Sequence, residues 1–424
     1  MFPELPALTS DEAFLQKLGT SCGVELASTN GKDDANGAAG WTMFGQFVAH
    51  DITADRSPLV TQAAVETLKN ARRQKLNLEF LYGSGPAGDP YLYDVNDNAK
   101  LLIGRNDAGK PDDLQRNAQG IAIIPDPRND SHLLMAQLQL LFSKFHNRVV
   151  DWLRTQGTAE HRIFSDAQRL VVWHYQWIVL REFLPELIGD RLTNALLAGD
   201  SRYYRPAADP YIPLEFADAA YRYGHGQLRE RYRLNREIAP VALFPELVGF
   251  RPVPASRTVD WAEFFDVPGR PPAQRAKKID GRVCTSIMNL PVALTGDVEV
   301  EAFHSLAARD LQRGHAVGLP SGEAIARHIG ATPLTRQQAG LGSMGWDQET
   351  PLWYYVLKES EVECNGDRLG VVGGRIVGEV LVGLVDHDPS SFRTSQPDWR
   401  PELPSRATGT FAMADLVMLV EGPD

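Results

Sequence analysis

Two stretches constrain this chain more than any others. In His132–Arg154 the residues Leu134, Leu138, Leu141, Phe142, Phe145, Val149, Trp152 and Leu153 recur at helical spacing. Ser165–Ile188 repeats the pattern with Val171, Val172, Tyr175, Ile178, Val179, Phe183 and Leu184. A surface helix needs only one apolar stripe, but these two are apolar over a wide arc and must be surrounded. They therefore predict an α-helical core. Trp41–Asp55, Ile287–Arg313, Gly322–Ile329, Pro351–Ser360 and Gly373–Leu384 read as further helices. Residues 200–280 are proline-rich and read as irregular, with two short helices. Strand signals are few, and there is no internal repeat or low-complexity linker. The expectation is a mainly α chain: one large domain over 41–424, with long loops and little strand. Residues 1–40 read as a loop-rich extension packed on it, punctuated by Asn30-Gly31, Asn36-Gly37 and Gly40.

Composition removes several function classes. With 43% hydrophobic and 23% charged residues in 424, a sizeable core is available. The net charge is −11 and no basic run is long enough to track a phosphate backbone, which argues against nucleic acid. No stretch approaches the roughly 18 uninterrupted apolar residues of a membrane span, and the run Ile376–Val385 is broken by Glu379. The start, MFPELPALTSDEAF, lacks the basic and apolar regions of a signal peptide, so the expected compartment is the cytoplasm. Cys22, Cys284 and Cys364 are odd in number and scattered, with neither CxxC nor CxxCH, and read as buried reduced thiols. Oligomeric state is not legible.

The chemistry concentrates in four places. WTMFGQFVAHDITAD sets Gln46 and His50 four apart on one helix face, with Asp51 turned toward a different neighbourhood. A lone helical histidine is by default a satisfied structural group. An HD doublet also suggests a metal phosphohydrolase, but that needs a histidine upstream, and His50 is the first in the chain. His225 lies in AYRYGHGQLRERY, beside Gly224, where a bulky partner can approach the backbone. Paired with His50, it supplies one ligand and one acid/base group, the minimal kit of a haem enzyme. Arg222 and Arg313 are then candidate cations for the haem propionates. Arg128 in DPRND is either a solvated turn residue or a fixed cation beside a reactive anion or peroxide. Asp310 is an acid inside an apolar helix. It is either salt-bridged to Arg309 or Arg313, or the acceptor that raises the basicity of a ligating histidine.

Taken together these stretches resemble the animal-type haem peroxidases of the peroxidase–cyclooxygenase superfamily, in particular their compact bacterial members. GQFVAHDIT is similar to the distal-histidine motif, DPRNDSHLLMAQLQLLFSKFHNRVV to the distal-arginine segment and its helix, YRYGH to the proximal-histidine motif, and DLQRGHAVGLPSG to the helix supplying the proximal partner. PLWYYVLKESE, VVGGRIVGEVLVGL and GTFAMADL also resemble the bacterial members, so the likeness runs over roughly residues 35–420.

The resemblance implies a haem-peroxidase-like helical domain binding haem b. It makes His50 the distal base, Arg128 its partner, Gln46 a distal-pocket residue, and His225 the iron ligand. Arg222 and Arg313 would hold propionates or brace the haem edge. Asp310 stands where the family usually has asparagine, which would push the ligand toward imidazolate. The residues matching the ester-forming carboxylates of mammalian members are Ala49 and Ser131, so haem is expected to be non-covalent, with Asp130 a remote alternative. The family's calcium ion would fall to Asp51, with Asn77 and Glu79 at the likeliest matching ligand positions; Arg73 and Lys75 argue the other way, since their charge could replace the ion. The implied reaction reduces hydrogen peroxide and oxidises a small donor, whether halide, phenol or another organic molecule. The alternatives are a haem-dependent fatty-acid dioxygenase, a hydroperoxide isomerase, or a haem-binding protein without turnover. In the oxygenating branch a radical tyrosine stands three residues before the proximal histidine; here that residue is Arg222, with Tyr221 and Tyr223 out of register, which favours the peroxidase.

Overall fold

The computed structural model describes residues 1–24, 32–54, 70, 72–207, 209–295 and 304–422. Asn30-Gly31, Asp55 and part of the stretch expected to be helical over Ile287–Arg313 lie outside them. The chain folds as a helical body with little strand, as the periodicity predicts.

The two apolar stretches form the centre. α4 spans Leu133–Thr155 and α5 spans Ile163–Ile178. The earlier helices are α1 (Glu12–Ser21), α2 (Gly40–Ile52) and α3 (Glu79–Tyr82). Phe47 of α2 packs its ring against Phe80 of α3 and Phe142 of α4, with centroids 4.6 and 4.7 Å away. The expected second long helix is not regular throughout: Val179–Phe183 is a π turn, and helix resumes over Leu184–Ile188. Pro185 follows directly and has no N–H to continue the i→i−4 ladder.

α2 stops at Ile52, within the Asp55 limit that the sequence pattern sets. Asn70 takes over there: its Nδ2 donates to Ile52 O at 2.7 Å and its Oδ1 accepts from Ala54 N at 2.8 Å. The continuous helix expected over 287–313 is broken. Pro291 disfavours helical geometry at Leu290, whose N–H bonds instead to His304 O. A short helix covers Val292–Thr295, and α6 spans Leu306–Ala316. After it come helices at Gly322–His328, α7 (Leu352–Cys364) and α8 (Val371–Asp386).

The first 40 residues are more structured than their turn signals suggest. α1 starts on an Asp11 cap and buries Phe14, Leu15 and Leu18 in the main core. It lies so close to α6 that a Cβ on Gly19 would sit 2.6 Å from Ala308 Cα. The strands are β1 (Gly23–Val24), β2 (Asp34–Ala38), β3 (Arg231–Tyr232), β4 (Val241–Ala242), β5 (Arg275–Lys277) and β6 (Val283–Cys284). They form three two-stranded pairs: β1 with β6, parallel, and β2 with β5 and β3 with β4, antiparallel. Cys22 and Cys284 are buried free thiols, and burial pushes each up to about 12. No helix among the described residues is long and apolar enough to cross a membrane.

Phe47→Ala removes a fully buried ring from the contact between α2, α3 and α4. The expected cost is about 3–5 kcal/mol, read as a lower midpoint in urea unfolding.

Candidate active site

A cavity of about 430 Å³ opens between α2 and the segment around His225. Gln46, Ala49 and His50 line one side, with Arg128 and Ser131 beside them. Tyr221, Arg222, Tyr223, Gly224 and His225 line the other. Apolar side chains such as Phe216, Leu243, Phe244 and Leu290 complete the walls.

The side carrying His50 is built on a pinned turn. Residues Pro127–Asp130 form a 3-10 turn leading into α4. Arg116 donates to both Asp130 oxygens, at 2.8 and 2.9 Å, and also pairs with Asp113. The Asp130 carbonyl accepts from Phe250 N at 2.7 Å. This buried bridge fixes the turn that delivers Arg128 and Asn129. Asp126 caps the turn by accepting from Arg128 N, and receives side-chain hydrogen bonds from Arg128 at 2.7 Å and Arg72 at 2.5 Å. Burial alone would raise the Asp126 carboxyl, but the two guanidinium groups hold it well below the usual range. Arg128 spends its Nε and Nη2 on Asp126, and Nη2 also donates to His50 O at 2.9 Å. Its Nη1 has no partner among the described residues, so that end is left for a ligand.

His50 is 8% exposed, and its Nδ1 lies 2.7 Å from Asn129 Oδ1. Asn129 Nδ2 in turn donates to Gln139 Oε1 of α4 at 2.9 Å. Burial, with the nearby Arg128 charge, lowers His50 to about 4. The imidazole is therefore neutral at pH 7, the state a base requires. Gln46 is exposed toward the same cavity.

On the opposite side, Ala220–Gln227 form a 3-10 segment held against α7: Trp353 Nε1 donates to Arg222 O at 3.3 Å. His225 Nδ1 lies 2.5 Å from Asp310 Oδ2. A carboxylate only accepts, so Nδ1 carries the proton and the Nε2 lone pair is left for a metal. Asp310, 1% exposed on α6, also accepts from Arg222 Nη1 at 3.2 Å. Asp310 thus pairs with both His225 and Arg222. Arg222 lines the cavity and reaches Asp218 at 3.5 Å; Arg313 does not line it and stands 3.6 Å from Asp218.

The cavity suits a haem. It is apolar-walled, has a histidine on each side, and presents one imidazole lone pair backed by a buried carboxylate. A Cβ on Gly224 would meet nothing within 4 Å, so the backbone beside His225 leaves room. Of the residues expected to hold calcium, Asp51 and Asn77 receive hydrogen bonds from peptide N–H groups. Asp51 accepts from Leu78 N at 3.1 Å and from Glu79 N at 3.2 Å, and Asn77 Oδ1 also accepts from Glu79 N. Each of these oxygens keeps a further lone pair, and burial raises Asp51 to about 7. Glu79 Oε2 alone of this set is buried without a partner. Lys75 does not stand in for the ion, since it pairs with Asp388 at 2.7 Å. Asp51 acts as an anchor between α2 and the start of α3.

Sequence reasoning missed Asn129, Gln139, Asp126 and Asp218. Asn129 sat in plain view inside DPRND. Gln139 was signalled only as a polar residue on the buried face of an apolar helix.

The animal haem peroxidase family model matches residues 61–342, about two thirds of the chain. The chain belongs to the animal haem peroxidase family. It is 28% identical to chorion peroxidase of Drosophila melanogaster over 220 residues, 49% of this chain and 26% of that protein. It is 28% identical to peroxidase skpo-1 of Caenorhabditis elegans over 272 residues, 60% of this chain and 38% of that protein. The chain thus spans between a quarter and two fifths of these relatives' length. Peroxidase A from Dictyostelium discoideum shares the fold with a TM-score of 0.64 at 15% identity, covering 90% of this chain and 84% of that one. Fatty acid alpha-dioxygenase from Oryza sativa shares it at 0.66 and 13%, covering 91% and 74%.

The Arg128 charge disfavours protonation of His50, so its removal should raise the imidazole. Arg128→Gln is expected to move the His50 titration from near pH 4 toward 6.5, followed by NMR of histidine-labelled protein. An unchanged midpoint would refute the electrostatic coupling.

Proposed function

We propose that this chain is a haem-dependent peroxidase that reduces hydrogen peroxide and oxidises a small donor, a halide, phenol or other organic molecule. One observation carries the reading: two histidines face one cavity with opposite partners. His50 leans on a neutral amide and stays unprotonated; His225 leans on a buried carboxylate and presents its other nitrogen. The first suits a base and the second a metal ligand.

Haem b, when bound, supplies the redox-active iron at which the peroxide O–O bond is broken. His225 would hold it, with Asp310 making the imidazole more electron-rich. His50 would take a proton from hydrogen peroxide at Nε2. With an imidazole lowered to about 4, that proton would be held weakly and returned to the peroxide oxygen that leaves as water. The Nη1 of Arg128, without a partner among the described residues, would stabilise the charge that develops on that oxygen. Gln46 adds a neutral polar group to the same pocket. Arg222 occupies the position three before His225, and its guanidinium is committed to Asp310, Asp218 and Ala217 O. No phenol stands there, which supports peroxidase over fatty-acid oxygenation.

The haem is held non-covalently in this reading. Ala49 and Ser131 line the cavity without a carboxyl group. Asp130, the remaining carboxylate near them, has both oxygens committed to Arg116.

Haem-reconstituted protein should oxidise a phenolic donor in a peroxide-dependent way, with a Soret band that changes on one equivalent of peroxide. His50→Ala should keep the haem spectrum and lose on the order of 10²- to 10⁴-fold in the peroxide step. His225→Ala should weaken haem binding itself. A wild-type peroxide rate in His50→Ala would overturn the assignment. Extraction with acid and organic solvent should strip haem from the chain; haem retained on the polypeptide would contradict non-covalent binding.

A further inference from the structure

The His50 imidazole does not stand alone in the wall of the cavity. Its Nδ1 meets Asn129 Oδ1 at 2.7 Å, Asn129 Nδ2 meets Gln139 Oε1 at 2.9 Å, and Gln139 Nε2 meets Phe80 O at 3.3 Å. Asn129 and Gln139 are buried, 0% and 2% exposed. Water therefore has little access to substitute for any partner in the row.

The direction of this row follows from its far end. A backbone carbonyl has no proton to give, so the Gln139 group facing Phe80 O must be the NH₂. The Gln139 oxygen then faces Asn129. The Asn129 group facing Gln139 must be its NH₂, which leaves the Asn129 oxygen toward His50. An oxygen acceptor there requires a proton on His50 Nδ1. In a neutral imidazole only one nitrogen is protonated, so Nε2 carries a lone pair. Two amides, each of which can be turned end for end in isolation, are thereby held in one orientation.

We infer that Asn129 and Gln139 are positioning residues that fix His50 in its Nδ1–H tautomer, with the Phe80 carbonyl setting the direction of the row. The inference rests on the reading of His50 as the base for peroxide. The opposite tautomer would present an N–H to the cavity, and His50 could not accept a proton at Nε2. The three links join α2, the turn before α4, α4 itself and α3, so the tautomer is set by the packing of the fold rather than by a neighbour in sequence. A polar row on buried helix faces also accounts for two side chains that a purely apolar core would replace. Were the row not needed, removing a donor and its acceptor together would cost little.

The test reads the haem-free full-length chain with ¹⁵N-labelled histidine. In wild type, His50 should show a protonated Nδ1 and an unprotonated Nε2. Gln139→Leu does not touch His50, yet it frees Asn129 to turn over, and a population with protonated Nε2 should appear. Asn129→Asp in the Gln139→Leu background should restore the Nδ1–H form, because a carboxylate has no donor end to present. Gln139→Glu, which still accepts from Asn129, should keep the wild-type tautomer and gives a second measurement should Gln139→Leu fold poorly. In the haem-loaded enzyme, Gln139→Leu should lower kcat/KM for peroxide on the order of tenfold to 10⁴-fold, between partial and complete loss of the reactive tautomer. An unaltered His50 spectrum in Gln139→Leu, or a Gln139→Glu spectrum that shifts, overturns the inference. A His50→Ala enzyme with wild-type peroxide rate, beside a wild-type chain that still shows the Nδ1–H signature, would instead overturn the peroxidase reading and leave the row intact.

Discussion

The buried bridge from Asp113 through Arg116 to Asp130 carries much of the site's geometry. It is local in kind, two carboxylates sharing one guanidinium, but its effect is to immobilise the turn ahead of α4. Arg128 and Asn129 leave that turn in two directions. One reaches the carbonyl of His50 and the other reaches its ring. A turn free to breathe would move both partners at once, and the base would lose its orientation and its charged neighbour together. Breaking such a pair is costly because it strands a charge away from water.

The two sides of the cavity are organised by opposite electrostatics. The side of His50 gathers two arginines around one carboxylate, and the Arg128 charge is the strongest acting on the imidazole. The side of His225 gathers arginines around two carboxylates, Asp218 and Asp310, and the nearest charge to that imidazole is negative. The same side chain is thus made a weak base in one place and a strong donor in the other. Neither effect needs an unusual residue; it follows from which neighbour the fold supplies.

Much of this was legible in the sequence, and the reasons are physical. Helical periodicity is written directly in α4, α5, α7 and α8, since their burial demands apolar residues at fixed intervals. The motifs around His50, Arg128, His225 and Asp310 stood out because each sets a titratable or charged side chain beside small or apolar neighbours at a fixed spacing. What stayed hidden depends on contacts between distant segments. Gln139 reads as one polar residue in a helix until α3 brings the Phe80 carbonyl beside it. Arg313 and Arg222 come from distant segments, and only the fold brings both to Asp218. α1 was masked by turn residues around it, and the break near Leu290 needed the proline's steric effect to be weighed above the apolar pattern. Asp51 matched a cation ligand by position, but its peptide N–H partners at the start of α3 come from a segment some 27 residues on and were not legible.

The guanidinium of Arg128 is tied on two of its three nitrogens, to Asp126 and to the carbonyl of His50. A lysine or an untethered arginine would follow an incoming anion and reward it wherever it settled. Arg128 cannot follow. Its attraction is available at one spot, and a guest that stops short of that spot gains little from it. The pocket therefore sorts its visitors by how far they reach rather than by how much charge they bring.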